Sequence, residues 1–366
     1  MRATKPLYRR CSHLVIYWHG RDLVFERYAP PTVRVTAAPV TIEILEWFGR
    51  WHSAESLFRR LPQYSHSSIR KTLKLLVDRG LLERSDRPKT SSAMRGWESW
   101  SPSAALLHFS SKDTPFDTNL ETAFTELCKQ ARRFPPPSSV KHYRHTGKIK
   151  LLPPAAKGEF PEVLLARRTW RNFSSKPLSF ADLSTLLGLT WGVQSWLKSR
   201  RLGRYALKTS PSGGALHPIE AYVLAPGVSG LPPGLYHYAA DTHQLELIRK
   251  GASAGQVEEY LATQWWFRSA AALVFMTAVF PRTQWKYQCP RAYRVVLTEA
   301  GHFCQTFCLV ATWLKLAPFC TLALADSLIE HAIRVDGVNE SVLYAAGVGV
   351  PPENQEWTPM PVRKNS

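Results

Sequence analysis

With 366 residues, 45% of them apolar and 20% charged, the chain can bury a sizeable core and lacks the composition of a disordered or fibrous protein. Its net charge of +19 is uneven: residues 1–150 hold 26 Lys and Arg against 13 Asp and Glu, a net of +13, and residues 151–366 hold 21 against 15, a net of +6. The front part therefore attracts polyanions, while the missing run of 18 apolar residues and the weak apolar segment after the basic Met1–Arg10 argue against a membrane span or a signal peptide, so a cytosolic protein is expected.

In chain order, Leu14–Tyr17, Leu23–Phe25 and Val33–Val35 alternate around His19-Gly20 and Pro30-Pro31, the pattern of short strands in a small antiparallel sheet. Three helical patterns follow. The first covers Thr41 to Trp51, with Ile42, Leu45 and Phe48 on one face. The second is capped by Ser53 and buries Leu57, Phe58 and Leu61. The third follows Ser65-His66-Ser67-Ser68, repeats apolar residues at Ile69, Leu73, Leu76 and Val77, and stops at Gly80. Leu81–Arg84 then reads as the first strand of a wing.

Strands, three helices and a wing describe a winged helix-turn-helix over residues 1–88. Its third helix exposes Arg70, Lys71 and Lys74, which suit DNA phosphates or are simply a solvated face. The order small sheet, Ala-Pro-Val-x-Ile-x-x-Leu, helix pair, Leu-x-x-Leu-Val-x-x-Gly-Leu-Leu resembles the PqqD-like recognition elements of peptide-maturation enzymes. That resemblance, over about residues 12–86, implies leader-peptide capture on a strand edge rather than nucleic-acid binding. Residues 89–150 read as a linker, with Ser101-Pro102-Ser103 and Pro135–Ser139 as linker material and one amphipathic helix, Asn119–Arg133. Trp97, Trp100 and Phe109 are expected to pack on a neighbouring domain.

The third region, residues 151–366, opens with a helix over Pro161–Ala166 that leads into Arg167-Arg168-Thr169-Trp170-Arg171-Asn172-Phe173. Three arginines within five residues repel one another unless they share an anion, and guanidinium forks suit phosphate. A helix capped by Ser179 runs to Trp191. Then comes Lys208-Thr-Ser-Pro-Ser-Gly-Gly-Ala-Leu-His-Pro-Ile-Glu-Ala-Tyr-Val-Leu224, a polar turn that enters a buried strand. Ser212, Gly213 and Gly214 leave backbone N–H groups open and permit positive φ, so this turn can wrap an anionic or heteroaromatic ligand. Glu299, His302 and Gln305 share one helical face, read as polar packing beneath such a ligand or at a subunit interface. Cys304 and Cys308 share a face without a matching His pair, and none of the six cysteines forms Cys-x-x-Cys, which reads as buried free thiols and no metal site.

These motifs, with Gly234-Leu-Tyr-His-Tyr238, Arg291-x-Tyr293-Arg294 and Leu343-Tyr-Ala-Ala-Gly347-x-Gly349, resemble the SagB/McbC-type dehydrogenases, FMN-dependent members of the nitroreductase superfamily. The resemblance spans about residues 160–363. It implies an α+β fold, a mixed sheet flanked by helices, and a homodimer with FMN buried between subunits. It places Arg167, Arg168, Thr169 and Arg171 at the phosphate and ribityl chain, and Pro211, Ser212, Gly213 and Gly214 against the ring. Gly347 and Gly349 belong to the same cofactor set, and Arg363 and Lys364 complete the phosphate clamp.

In the azoline-oxidising branch it assigns an adjacent Lys and Tyr, here Lys286 and Tyr287, to catalysis. As a bare dipeptide, Lys-Tyr reads only as a strand edge and an aromatic core residue. The implied reaction oxidises thiazoline or oxazoline rings to thiazole or oxazole in a ribosomally made precursor peptide, with a cyclodehydratase as possible partner. A proton leaves Cα to a base, Lys286, and a hydride equivalent leaves the neighbouring carbon to the flavin. Two alternatives use the same chain: a flavin reductase of dehydroamino acids, and a winged-helix DNA-binding regulator.

Overall fold

The computed structural model describes residues 5–87, 94–116, 118–138, 141, 151–200, 203–353 and 357. They form two compact units: Met1–Lys112 with Thr283–Arg294, and Asp113–Arg282 with Val295–Ser366.

The first unit begins with β1 (Leu7–Arg10), β2 (Leu14–His19), β3 (Asp22–Arg27) and β4 (Val33–Thr36). Strands β2, β3 and β4 pair antiparallel in that order, and β3 is buried from Leu23 to Glu26, with Leu23 and Phe25 in the core. Then follow α1 (Val40–Trp47), β5 (His52–Ser53), α2 (Ala54–Arg60), α3 (His66–Asp78) and β6 (Leu82–Arg84). Helix α1 ends four residues before Trp51, with Phe48 at its C-cap. Ser53 occupies the N-cap of α2 without a side-chain capping bond, whereas Ser65 does cap α3 by accepting from Ser68 N–H. Leu57, Phe58, Leu61, Ile69, Leu73, Leu76 and Val77 pack with Phe25 and Phe48 into one core.

Strand β6, read as the first strand of a wing, belongs to a three-stranded sheet of order β5-β1-β6. It pairs antiparallel with β1, inside the stretch that reads as a basic start, and β5 pairs on the other side of β1.

The stretch after β6 holds more structure than linker composition implies. Short α4 (Arg95–Glu98) and α5 (Ser101–Ser110, with Pro102 in its first turn) bring Trp97, Trp100 and His108 onto Tyr293 within this same unit, with Phe109 against Trp97. Proline is tolerated there because the first-turn N–H groups have no intrahelical acceptor. Composition marks the Ser-Pro-Ser as a breaker; the buried aromatic cluster turns it into a helix start.

The second unit starts with α6 (Leu120–Arg133), capped by Asn119 and solvent-facing, and α7 (Glu159–Ala166). Next come β7 (Leu178–Ser179), α8 (Phe180–Trp191), β8 (Ser195–Ser199), β9 (Gly203–Leu207), β10 (Ile219–Ala225), β11 (Val228–Ser229), β12 (Gly234–Ala239), β13 (Gln244–Lys250) and α9 (Ala254–Tyr260). The chain continues through β14 (Ala272–Val279), α10 (Phe280–Lys286), α11 (Arg291–Trp313), β15 (Ala317–Thr321), α12 (Asp326–Ile333) and β16 (Glu340–Gly349).

The main sheet has the order β13-β12-β10-β14-β16-β15 and pairs antiparallel throughout; the parallel pairing beside it is the short β7·β11. Central β14 is a continuous buried run from Ala272 to Ala278, so helices and sheet sandwich it. This is an α+β fold. Helix α11 has the length and apolar character of a membrane span. However, Val296, Ala300, Phe303, Phe307 and Ala311 are buried inside the protein, which accounts for them as core.

Candidate functional site: a glycine-rich turn tied to α11

The Ser-Pro-Ser-Gly-Gly turn is held from one side by a single face of α11. Glu299, His302 and Thr306 lie three and four residues apart and so line up. Gly213 N–H donates to Glu299 Oε1 at 2.8 Å, His302 Nδ1 lies 3.3 Å from the Pro211 carbonyl, and Ser210 Oγ lies 2.9 Å from Thr306 Oγ1. Inside the turn, His217 N–H donates to Ser212 Oγ at 2.9 Å.

The turn also bends unusually. Gly214 has φ 71°, and the non-glycine residues Ala215 and His217 have φ 55° and 43°. Such angles persist only when surrounding contacts hold them. Glu299 is buried, which raises its carboxyl above the usual range although Gly213 N–H and Ser212 pull the other way. Gln305, read from sequence as a third member of this face, is exposed; Thr306 takes that place.

Arg167 follows directly on the end of α7. The Arg168 guanidinium donates to the carbonyls of Leu165 and Arg167, both at 2.8 Å, and lies over the Trp357 ring. Trp357 Nε1–H donates to the Thr169 carbonyl at 2.9 Å. Two backbone bonds pin the segment to the sheet, from Trp170 N–H to the Pro318 carbonyl and from Ser174 N–H to the Val350 carbonyl, each 2.9 Å. Arg171 is half-buried, and desolvation pushes its guanidinium below the usual range. Helix α7, which leads into this segment, is tied to α11 where Trp313 Nε1–H donates to Glu159 Oε1 at 2.6 Å. Helix α11 therefore holds the turn and also bonds the helix that leads into the arginine segment.

The two distal glycines have a structural reason to be glycine. A Cβ on Gly347 would collide with the Phe319 ring and with Leu273, and one on Gly349 would sit 2.6 Å from Phe173 Cδ1. Their small size admits aromatic packing under the sheet. Arg363 and Lys364 lie outside the described residues.

Beside the turn is a cavity of about 460 Å³ whose lining includes Lys208, His217, Glu220, His237 and Arg282. That volume lies within the usual range for ligand pockets, about 300–1,000 Å³. Arg282 pairs with Glu220 and donates to the His217 carbonyl at 2.8 Å. His237 Nε2 lies 3.2 Å from Glu220 Oε2 and Nδ1 2.8 Å from Glu246 Oε2; these carboxylates raise its pKa to about 8 against the desolvation cost.

Burial, with Lys208 nearby, pushes His217 down to about 4, so its ring is neutral and its Nε2–H donates to the Ala206 carbonyl at 2.9 Å. Lys208 is itself lowered by burial, with Nζ 5.8 Å from the Phe303 ring centroid. Motif reading passed over this group. The available signal was that Lys208 and His217 flank the turn while Glu220 and His237 lie on consecutive strands of one sheet.

Lys286 and Tyr287 belong to the first unit. Lys286 is exposed, with Nζ 5.3 Å from the Tyr287 ring centroid. Tyr287 is fixed through its backbone: its N–H donates to the Thr283 carbonyl and its carbonyl accepts from Trp100 Nε1, both at 2.9 Å.

On this α+β fold a glycine-rich turn is held by one face of α11, and the arginine segment is bonded to β15 through Trp170 N–H and the Pro318 carbonyl. The nitroreductase family model matches residues 164–350, half of the chain, and the chain belongs to that family. A Methanocaldococcus jannaschii protein whose name places it among nitroreductases is 29% identical over 184 residues, covering 50% of this chain and 88% of that one. The trifolitoxin-processing protein TfxB of Rhizobium leguminosarum bv. trifolii is 33% identical over 172 residues, 46% of each chain. The trifolitoxin operon protein TfxC of the same organism is 24% identical over 290 residues, 75% of this chain and 80% of that one.

Proposed function

We propose that this chain is an FMN-dependent dehydrogenase that oxidises thiazoline or oxazoline rings to thiazoles or oxazoles in a ribosomally made peptide. The observation that carries this reading is the Ser210–Gly214 turn, tied to Glu299, His302 and Thr306 on one face of α11. FMN fits these residues. The arginine forks match a phosphate, and His217 Nδ1, buried and without a hydrogen-bond partner among the described residues, can meet a polar ring edge. When bound, FMN supplies the hydride acceptor.

In this reading Arg167, Arg168 and Arg171 bind the phosphate, Thr169 donates to the ribityl chain, and Arg363 with Lys364 closes the clamp. The turn orients the ring system through backbone groups that need no rearrangement. Lys286 takes the Cα proton and Tyr287 orients the substrate ring or relays that proton. Support for a peptide substrate comes from TfxB, whose name ties it to trifolitoxin processing.

The front unit then serves as a winged-helix recognition module. Its β2 edge carries exposed Ile16 and Trp18, and α3 presents Arg70, Lys71 and Lys74, a surface suited to an extended leader or a cyclodehydratase partner. An apolar groove of Phe160, Val163, Leu189, Leu309, Val310 and Trp313 supports a homodimer. A cytosolic location completes the proposal.

The test is to purify the protein, release any chromophore by heat and identify it, then incubate the loaded enzyme with a thiazoline-bearing peptide. FMN and a product lighter by two hydrogens are expected. A colourless protein that takes up no added FMN overturns the reading.

A further inference from the structure

We propose that Cys304, Cys308 and Cys320 form a three-thiolate site for one soft divalent cation of the zinc class. Cys304 and Cys308 are four residues apart on α11, so both sulfurs project from one buried face of that helix. Cys320 arrives from β15. Along that strand Ala317 and Phe319 face the core cluster that contains Phe173, and alternation turns Cys320 to the opposite face. Cys320 pairs with Ala346 of β16, which sets Tyr344 diagonally beside it, and the Tyr344 hydroxyl donates to Cys320 Sγ at 3.4 Å. The three sulfur atoms all lie within 4.8 Å of one another, and all three cysteines are free.

Zinc–sulfur bonds of about 2.3 Å in tetrahedral geometry put sulfurs about 3.8 Å apart, so closing onto one ion needs a contraction of about 1 Å, within the reach of small χ changes. Thiolates select soft ions of this class over magnesium or calcium. Each bound sulfur releases its proton to solvent, leaving three negative charges against two on the ion. The Tyr344 hydroxyl, which donates to Cys320 Sγ, stabilises the remaining negative charge. Half-buried Cys320 gives the entry path, and the fourth position is left to solvent.

Such an ion would clamp α11 to edge strand β15, where Pro318 accepts from Trp170 of the arginine segment. The helix that anchors the glycine turn and the segment that carries the arginines would then share one fastening. The inference does not depend on the nature of the bound cofactor.

Untagged, fully reduced protein, freed of metal by dialysis against a chelator, would be titrated with Co²⁺ as an optical probe for this site. One equivalent per chain, with sulfur-to-cobalt charge-transfer absorption and displacement by Zn²⁺, is expected. Cys320→Ser and Cys304→Ser should weaken binding at least tenfold, while Cys128→Ser and Cys289→Ser leave it unchanged. Should the cluster variants fold poorly, alkylation of the wild-type protein decides: one equivalent of Zn²⁺ should protect the peptides bearing Cys304, Cys308 and Cys320 and leave Cys289 reactive. No charge-transfer absorption, its retention in Cys320→Ser, or alkylation of the three cysteines unchanged by zinc would overturn the proposal.

Discussion

Two lysines show how little a residue name decides. Lys208 opens the glycine turn and is desolvated within the second unit, which lowers its pKa and eases the loss of its proton. Lys286 sits at the end of α10 in the first unit, exposed and above Tyr287. Motif logic selects Lys286, because it comes as an adjacent Lys-Tyr pair. Burial selects Lys208. The comparison teaches that a general base is recognised by its surroundings as much as by its neighbours in sequence.

The sharpest way to separate the two is kinetic. With FMN loaded, Lys286→Ala should lower azoline oxidation by about 10²–10⁴-fold, the usual worth of a positioned base, and leave FMN content unchanged. If Lys208→Met produces that loss while Lys286→Ala is fully active, the buried lysine is the base and the motif assignment falls.

The next effect concerns the turn beside Lys208. Replacing Glu299 by Ala strands the Gly213 N–H, a cost of about 1–3 kcal/mol, so the FMN dissociation constant should rise roughly ten- to a hundredfold. Glu299→Gln keeps an acceptor and should be milder, and Gln305→Ala, at an exposed site on the same helix, should be silent. Flavin fluorescence titrations of the three variants would read this directly, and equal losses in all three would show that α11 does not hold the turn through Glu299.

Gly347→Ala tests packing rather than binding. Phe319 and Leu273 must move, so thermal unfolding should show a loss of about 1–3 kcal/mol, with no counterpart in the exposed Lys286 variant.

The smallest effect is a pH dependence at the cavity beside Lys208. His237 is raised from 6.5 to about 8 by Glu220 and Glu246. A raised histidine pKa contributes stability that is fully present below 6.5 and is lost as pH rises through about 8. The contribution is on the order of 1 kcal/mol, discounted for solvent screening at the partly open site. Denaturant midpoints measured between pH 6 and 9 should fall in the native protein and fall less in His237→Gln; parallel curves would remove His237 from the account.

Local order was largely legible in the sequence, because period and capping are local. The apolar repeats of α3, the Ser179 cap and the buried run at β10 follow from neighbours within a few residues. So do the family motifs, since the glycine turn and the arginine segment are each continuous in the chain. The helix at Ser101–Ser110 was missed because its stability comes from Trp97, Trp100 and His108 packing on Tyr293, far along the chain.

By itself the sequence determined the helices and strands with a strong period, where charge concentrates, and where the continuous family motifs lie. Only the tertiary structure decided that α11 is the common support of the turn, that β6 pairs with β1, that Lys208 is buried while Lys286 is exposed, and that Cys320 joins Cys304 and Cys308. The reason is physical. Periodicity is set by neighbours in the chain, whereas desolvation and the convergence of side chains depend on contacts between residues tens of positions apart, which no local pattern encodes.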